Sequence, residues 1–163
     1  MAALLSGDGF RFLFRTDKGV VSRDVWWLGT AMTGAVAFVT TAIWLVIAPM
    51  ATSDLSRRGL IDPMALTVYV YLMLYAFIVL LCGVCWYNLS AKRFRDLGRP
   101  PGLAGLPLVM ALFSGALHWV QPRIAETVPG WTVVVLDIGT LIVILWSIYE
   151  LGFKPAAEPE QIV

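Results

Sequence analysis

The sequence predicts an all-α membrane protein whose four transmembrane helices form one bundle. Two observations predict this fold class. Of the 163 residues, 59% are apolar and only 14% are charged, and the mean hydropathy is +0.78, far from the composition of a soluble domain. The charges are also unevenly spaced, because residues 25–53, 63–91 and 100–122 contain none. Such runs are long enough to cross a bilayer, and we place all four spans in one domain, residues 1–153.

The first span is expected over residues 25–50. The uncharged run that contains it would form about 43 Å of helix, more than the hydrocarbon core of about 30 Å. Ser22 is a candidate N-cap, and Asp24 would lie in the first turn, where negative charge is favourable. Before the helix, aromatic residues alternate with others at Phe10, Phe12 and Phe14. This alternation predicts a short extended segment at the membrane interface.

The second span is expected over residues 63–90 and the third over residues 101–121. The second helix is expected to continue beyond the membrane as far as Asp96. Gly98 is a candidate C-terminal stop, because glycine readily adopts the left-handed conformation that ends many helices. Pro107 is a candidate kink in the third span, because proline removes a backbone hydrogen bond inside a helix.

The fourth span is expected over residues 129–151, followed by a disordered cytoplasmic tail, residues 154–163, with too little apolar surface to fold. Asp137 lies in the middle of this span. An ionised Asp at mid-helix costs about 2.5–3.5 kcal/mol, whereas the Val, Leu and Ile residues around it contribute roughly 3–6 kcal/mol to insertion. Insertion of the fourth span is therefore still favoured.

The placement of Lys and Arg predicts the orientation. Nine of the 12 lie before the first span, between the second and third spans, or after the fourth, and three lie in the two other loops. Loops rich in positive charge stay in the cytoplasm. Both termini and the turn after the second span are therefore expected to be cytoplasmic, in a multi-pass protein of a plasma or inner membrane.

The polar turn of residues 90–102, which we call the hinge, carries four cations: Lys92, Arg93, Arg95 and Arg99. Together with Arg23 they are candidate binding residues for anionic lipid headgroups or for a membrane-protein partner. A basic residue near an anionic surface contributes about 1 kcal/mol to binding. The alternative is that these charges only set the topology. Nucleic acid is not an expected partner, because the net charge is only +1.

Residues 18–27 (KGVVSRDVWW) and residues 92–99 (KRFRDLGR) form a pair of motifs that flank the first two spans. Together they resemble the bacterial family catalogued as domain of unknown function 805. The resemblance extends from about residue 10 to residue 153. It implies a small inner-membrane protein with this architecture, and it implies no activity.

Charged residues of the two motifs are expected to pair with each other. Arg23 and Asp24 would leave the membrane at the same depth as the hinge. Because charges near lipid tend to lie beside partners, we expect an ion pair between Arg23 and Asp96, with Asp24 facing Arg93 or Arg95.

His118 and Asp137 form a second candidate site, inside the membrane. Helix rise places them at depths that differ by about 5 Å, so we expect a hydrogen bond between them, direct or through one water. One interpretation is structural, with Thr132 or Thr140 as further partners of the carboxyl group. The other interpretations are a proton or solute path, and catalysis.

Cys82 and Cys85 lie three residues apart in the second span. A zinc site would need further ligands, and His118 would lie about 18 Å away along the bundle axis. The cysteines are therefore expected to be buried packing residues. We expect no metal and no cofactor.

From these features we expect a small, non-enzymatic accessory or interaction protein with a basic cytoplasmic face. Its ligands would be anionic lipid headgroups, and its protein partner would be another membrane protein or a second copy of this chain. The alternative is a minor transporter or channel subunit that uses Asp137 and His118. A membrane enzyme is the third possibility.

Overall fold

The structure, a computed structural model, describes residues 7–51 and 63–157, and these contain five α-helices and no β-strand. The helices are α1 (Gly7–Phe14), α2 (Arg23–Ile47), α3 (Pro63–Asp96), α4 (Leu106–Val120) and α5 (Trp131–Phe153). Short 3-10 helices cover Ala48–Ala51, Pro101–Gly105 and Gln121–Arg123. The predicted loop before residue 63 and the last six residues of the predicted disordered tail, residues 154–163, lie outside the described residues. Residues 154–157 are described, and the Ala157 N–H donates to the Asp96 carbonyl at 3.0 Å.

Within the part of the chain that the structure describes, four segments are long and apolar enough to cross a membrane: Arg23–Met50, Leu66–Asp96, Pro101–Arg123 and Trp131–Phe153. The predicted all-α fold with four spans is therefore confirmed. Most apolar side chains in these segments are exposed on the protein surface. This is the pattern of helices that present most of their surface to lipid tails.

The spans form two antiparallel pairs, α2 with α3 and α4 with α5. In the first pair, Trp26 Nε1 donates a hydrogen bond to Ser90 Oγ at one end. Toward the other end, the hydroxyl of Tyr71 donates to the Thr40 carbonyl. Because α5 also packs against α2, the two pairs join into one bundle.

The buried core lies at the end of the bundle where α2 begins and where α3 and α5 end; we call this the hinge end. Its fully buried apolar residues include Trp26, Leu89, Phe94, Ala104 and Leu151. Glycine allows the helices to approach here, because a Cβ at Gly152 would lie 2.6 Å from the Trp27 ring. Trp27 Nε1 donates to the Gly152 carbonyl at 3.1 Å. The opposite end, where α4 ends and α5 begins, is called the far end.

The amino-terminal segment is helical, so the extended conformation predicted for it is wrong. The rings of Phe10 and Phe14 lie 4.9 Å apart on α1. Leu13 and Phe14 are buried in the core of the hinge end. Apolar residues spaced by three or four form one face of a helix, and the intervening Phe12 made this pattern look like strand alternation.

Gly98 ends α3 at the predicted position, with a φ of 65°. Its N–H donates to the Arg95 carbonyl at 2.9 Å, and the Arg99 N–H donates to the Phe94 carbonyl at 2.8 Å. These two bonds form a Schellman motif. Pro107 lies in the first turn of α4, where a missing N–H costs little, so it begins this helix and the predicted kink is wrong.

Candidate functional site: the basic cluster at the hinge end

The last turns of α3 carry two buried cations. Lys92 and Arg93 are only 0% and 1% exposed, which is rare for such residues unless they are paired. Side chains spaced by three or four share a helix face, so Asn88, Lys92 and Arg95 project toward the same side of α3. Arg93 projects toward another side. The first side faces the end of α1, and Arg93 faces the end of α5.

Asn88 and Lys92 cap the end of α1, whose last carbonyls have no partner within their own helix. Asn88 Nδ2 donates to the Phe14 carbonyl at 2.8 Å. Lys92 Nζ donates to the carbonyls of Phe12 and Leu13, at 2.9 Å for Leu13. A cation is favourable at the C-terminal end of a helix dipole. These hydrogen bonds hold α1 against α3 through the backbone carbonyls of α1.

Arg95 holds the turn that follows α1. Its Nη2 atom lies 3.0 Å from Asp17 Oδ2, and its Nη1 atom donates to the Asp17 carbonyl. The pair is partly exposed. Because Asp17 is 78 residues away in the sequence, local spacing gave no sign of this contact.

Arg93 caps α5 in the same way that Lys92 caps α1. Its Nε atom donates to the Leu151 carbonyl at 3.0 Å, and its Nη2 atom donates to the Lys154 carbonyl at 2.5 Å. Its Nη1 atom binds the Asp96 carboxylate. All three nitrogens of the guanidinium group are therefore used, and the buried charge is paired.

Glu150 is the buried acid of this cluster. Lys154 Nζ donates to its Oε1 atom at 2.7 Å. Arg99 Nη1 lies 3.3 Å from its Oε2 atom, which is an ion-pair distance without hydrogen-bond alignment. Two cations thus neutralise the carboxylate, and one of them ties the hinge to α5.

The predicted ion pair between Arg23 and Asp96 is not found among the ion pairs of residues 7–51 and 63–157. Asp96 binds Arg93, three residues earlier on the same helix. Arg23 Nε lies 3.7 Å from Asp24, so Asp24 pairs with its neighbour rather than with Arg93 or Arg95. Asp96 lies three residues after Arg93 on the same helix face, and this local pairing replaces the contact predicted between helices.

Burial also changes which of the predicted lipid-binding cations can reach a ligand. Lys92 and Arg93 use their donors on carbonyls inside the protein and do not face a lipid surface. Arg23 is 54% exposed, and Arg95 and Arg99 are partly exposed. By burial, Arg23, Arg95 and Arg99 can reach a ligand, but Arg95 is already paired with Asp17 and Arg99 with Glu150.

Three exposed cations that the sequence interpretation did not single out lie on or after α1: Arg11, Arg15 and Lys18. The signal that could have found them is helical spacing, because Arg11 and Arg15 are four residues apart. Leu13 and Phe14, which face the core, lie between them. Recognising α1 as a helix would have separated a basic side from an apolar side.

His118 and Asp137 lie together at the far end, with His118 Nε2 2.9 Å from Asp137 Oδ2. Ser114 Oγ donates to the other carboxylate oxygen at 2.5 Å. Thr140, one of the partners considered from the sequence, donates to the Leu136 carbonyl instead. Ser114 could have been found, because it lies one helical turn before His118. The two titratable side chains are 59% and 42% exposed, so the pair lies at the bundle surface.

Cys82 and Cys85 line an apolar groove of about 520 Å³ between α1, α2 and α3. Phe10, Phe14 and Met32 contribute to its walls. Both thiols are half-buried, so the expectation of fully buried cysteines was too strong. Within the part of the chain that the structure describes, no group of three or more His, Cys, Asp or Glu residues is placed to hold a metal ion.

Comparisons with protein-family models, with curated proteins and with solved structures found no match for this chain. The resemblance of residues 18–27 and 92–99 to a bacterial family therefore stays a prediction.

Proposed function

We propose that this chain is a non-enzymatic accessory protein of a bacterial inner membrane that binds anionic phospholipid headgroups on its cytoplasmic face. The observation that carries the proposal is the set of exposed cations on the amino-terminal segment: Arg11, Arg15, Lys18 and Arg23. The resemblance to a family of small inner-membrane proteins agrees with this role.

The position of α1 supports this proposal. Phe10 and Phe12 are half exposed beside Arg11, a combination typical of a helix that lies in the membrane interface. Lys92 and Asn88 hold the end of this helix, so its cations stay close to the ends of the spans. A headgroup would therefore meet basic side chains that are already positioned.

The charge balance of this surface also supports the proposal. Its four exposed cations outnumber the two exposed acids, Asp8 and Asp24, because Arg95 neutralises Asp17. A local excess of positive charge attracts anionic lipid at short range and is weakened by salt. A membrane-protein partner or a second copy of this chain with an acidic surface would meet the same cations.

Lipid binding tests the proposal directly. Protein in neutral detergent would be titrated with phosphatidylglycerol or phosphatidylcholine and its bound lipid measured by native mass spectrometry. Replacing Arg11, Arg15 and Lys18 together with Gln should weaken phosphatidylglycerol binding roughly a hundredfold, from about 1 kcal/mol per charge. Arg123→Gln, at the far end, is the matched control. Unchanged binding by the triple variant would contradict the proposal.

Cysteine labelling tests the orientation on which the proposal depends. Arg99→Cys and Arg123→Cys place thiols at opposite ends of the bundle, in a background where Cys82 and Cys85 are Ser. In intact cells, an impermeant maleimide should label position 123 and leave position 99 unlabelled until the inner membrane is opened. The reverse pattern would place the basic surface outside the cell.

The contact between His118, Asp137 and Ser114 favours a second candidate function, proton transfer in a transporter. An imidazole beside a carboxylate can exchange a proton between defined atoms. In proteoliposomes, proton flux carried by this pair should disappear in Asp137→Asn, because an amide does not titrate. Equal flux with and without the substitution would exclude a role of the pair in transfer.

A further inference from the structure

A polar cavity of about 340 Å³ at the hinge end is not explained by the contacts described so far. It lies between the start of α2, the end of α3 and the residues that follow α5. Its charged lining consists of Arg23, Asp24, Arg93, Asp96 and Lys154. Three of these residues are cations and two are acids, so the lining is nearly balanced in charge.

Two of the three cations can contact a ligand. Arg93 is excluded because its nitrogens are bound to two carbonyls and to Asp96. Arg23 is half exposed and its contact with Asp24 is long, at 3.7 Å. Lys154 has two further donor positions beyond its bond to Glu150. Arg23 and Lys154 therefore define a positive side of the cavity.

The start of α2 adds to this positive side. Its N-cap, Ser22, makes no side-chain cap hydrogen bond, although it also lines the cavity. The first N–H groups of a helix have no partner within the helix and favour an anion nearby. A phosphate group would satisfy these N–H groups and the two cations together.

The acids make the cavity unsuited to a simple anion. Asp24 is 89% exposed, and Asp96 contacts Arg93 through only one carboxylate oxygen, Oδ2. Both carboxylates would repel inorganic phosphate but would attract an ammonium group, which donates up to three hydrogen bonds. A ligand that fits the whole lining thus carries one negative and one positive group.

We propose that this cavity binds a phosphoethanolamine group, with the phosphate against Arg23 and Lys154 and the ammonium against Asp24 and Asp96. The cavity lies where three candidate spans begin or end. For helices that cross a bilayer, this is the level of the lipid headgroups. Phosphatidylethanolamine is therefore the expected source, and free phosphoethanolamine is the soluble source with the same chemistry. This site shares Arg23 and Asp24 with the anionic-lipid surface. The variants that test that surface change only Arg11, Arg15 and Lys18, so either proposal can fail without the other.

The test compares headgroups that differ in one feature. Bound lipid would be measured by native mass spectrometry on the full-length protein in neutral detergent, with phosphatidylethanolamine and phosphatidylcholine of identical acyl chains. Choline cannot donate a hydrogen bond, so we expect about tenfold tighter binding of the ethanolamine lipid, the effect of one hydrogen bond to a charged group. Asp24→Asn should remove most of this preference, whereas Asp8→Asn, another exposed acid, should preserve it.

Further measurements identify the phosphate side and the source. Arg23→Gln and Lys154→Gln should each weaken both lipids by a similar factor and leave the preference intact. Protection from thermal unfolding by free phosphoethanolamine as strong as by the lipid would support the site and assign it a soluble ligand. Equal binding of the two lipids, an unchanged preference in Asp24→Asn, or equal protection by inorganic phosphate and phosphoethanolamine would each overturn the proposal.

Discussion

The hinge end and the far end both place charged side chains within candidate spans, but they satisfy these charges differently. At the hinge end, Lys92 and Arg93 are fully buried and bind mainly backbone carbonyls of other helices. At the far end, His118 and Asp137 bind each other and are about half exposed. The first end uses charge to join helices, and the second end keeps its charge accessible.

The difference arises because the C-terminal ends of α1 and α5 lie at the hinge end. The last carbonyls of α1 and α5 need donors, and cations of α3 supply them at the negative ends of two helix dipoles. Removing such a cation lowers the free energy of unfolding, because the carbonyls then remain buried without hydrogen-bond donors. Removing a side chain from the far-end pair leaves its partner next to solvent or to an interface. The two ends should therefore respond very differently to substitution.

The largest expected effect is at Arg93. Arg93→Met keeps most of the side-chain volume but leaves two carbonyls and the Asp96 carboxylate without their donor. We expect a loss of roughly 3–5 kcal/mol in the free energy of unfolding in detergent, the range for breaking a buried charge network. Arg123→Met at the far end, which loses an exposed cation–π contact with Trp119, should change stability by no more than about 1 kcal/mol. Similar effects of the two substitutions would remove the distinction between the ends.

A smaller and more local effect is expected at Lys92. Lys92→Met should cost about 1–3 kcal/mol, because the Phe12 and Leu13 carbonyls lose a charged donor. Hydrogen exchange should rise in residues 7–17 and stay unchanged in α5. Lys18→Met, an exposed cation in the same region, is the control. Uniform loss of protection along the chain would show that Lys92 does not act through α1.

The smallest effect is expected at Asp137. Asp137→Leu should lose less stability than either Arg93→Met or Lys92→Met, because it removes an exposed interhelical contact, while Asp137→Asn should stay near the parent protein. A double-mutant cycle with His118→Leu would isolate the pair. A coupling energy as large as the loss at Arg93 would make the far end as structural as the hinge end.

Much of the fold could be predicted from the sequence because the membrane simplifies it. Uncharged runs and the proline and glycine residues that flank them fixed four spans and the stop at Gly98. The pairing of His118 with Asp137 followed from helix rise alone, since both lie within regular helices of known direction. These features depend on local spacing, which a single sequence displays.

The contacts of the hinge could not be predicted in the same way. A motif rich in Lys and Arg suggests binding to something outside the protein, whereas Lys92 and Arg93 bind its own backbone. Every residue has a backbone carbonyl, so the sequence does not show which carbonyl will accept a hydrogen bond from a given side chain. The partner Asp17 was hidden for a related reason, because only the folded position of α1 brings it to Arg95.

The caps on α1 and α5 also bear on the order in which the chain is assembled during synthesis. The carbonyl of Leu13 can accept its hydrogen bond only after Lys92, 79 residues later in the chain, has been synthesised. Until then the last carbonyls of α1 lack the donor that later caps them. The guanidinium group of Arg93 can in turn donate to the Leu151 carbonyl only after a further 58 residues have been synthesised. The end of α3 is thus the element to which the first and last helices are both fixed, and a chain that stops before residue 151 would leave the Arg93 guanidinium group without its Leu151 acceptor.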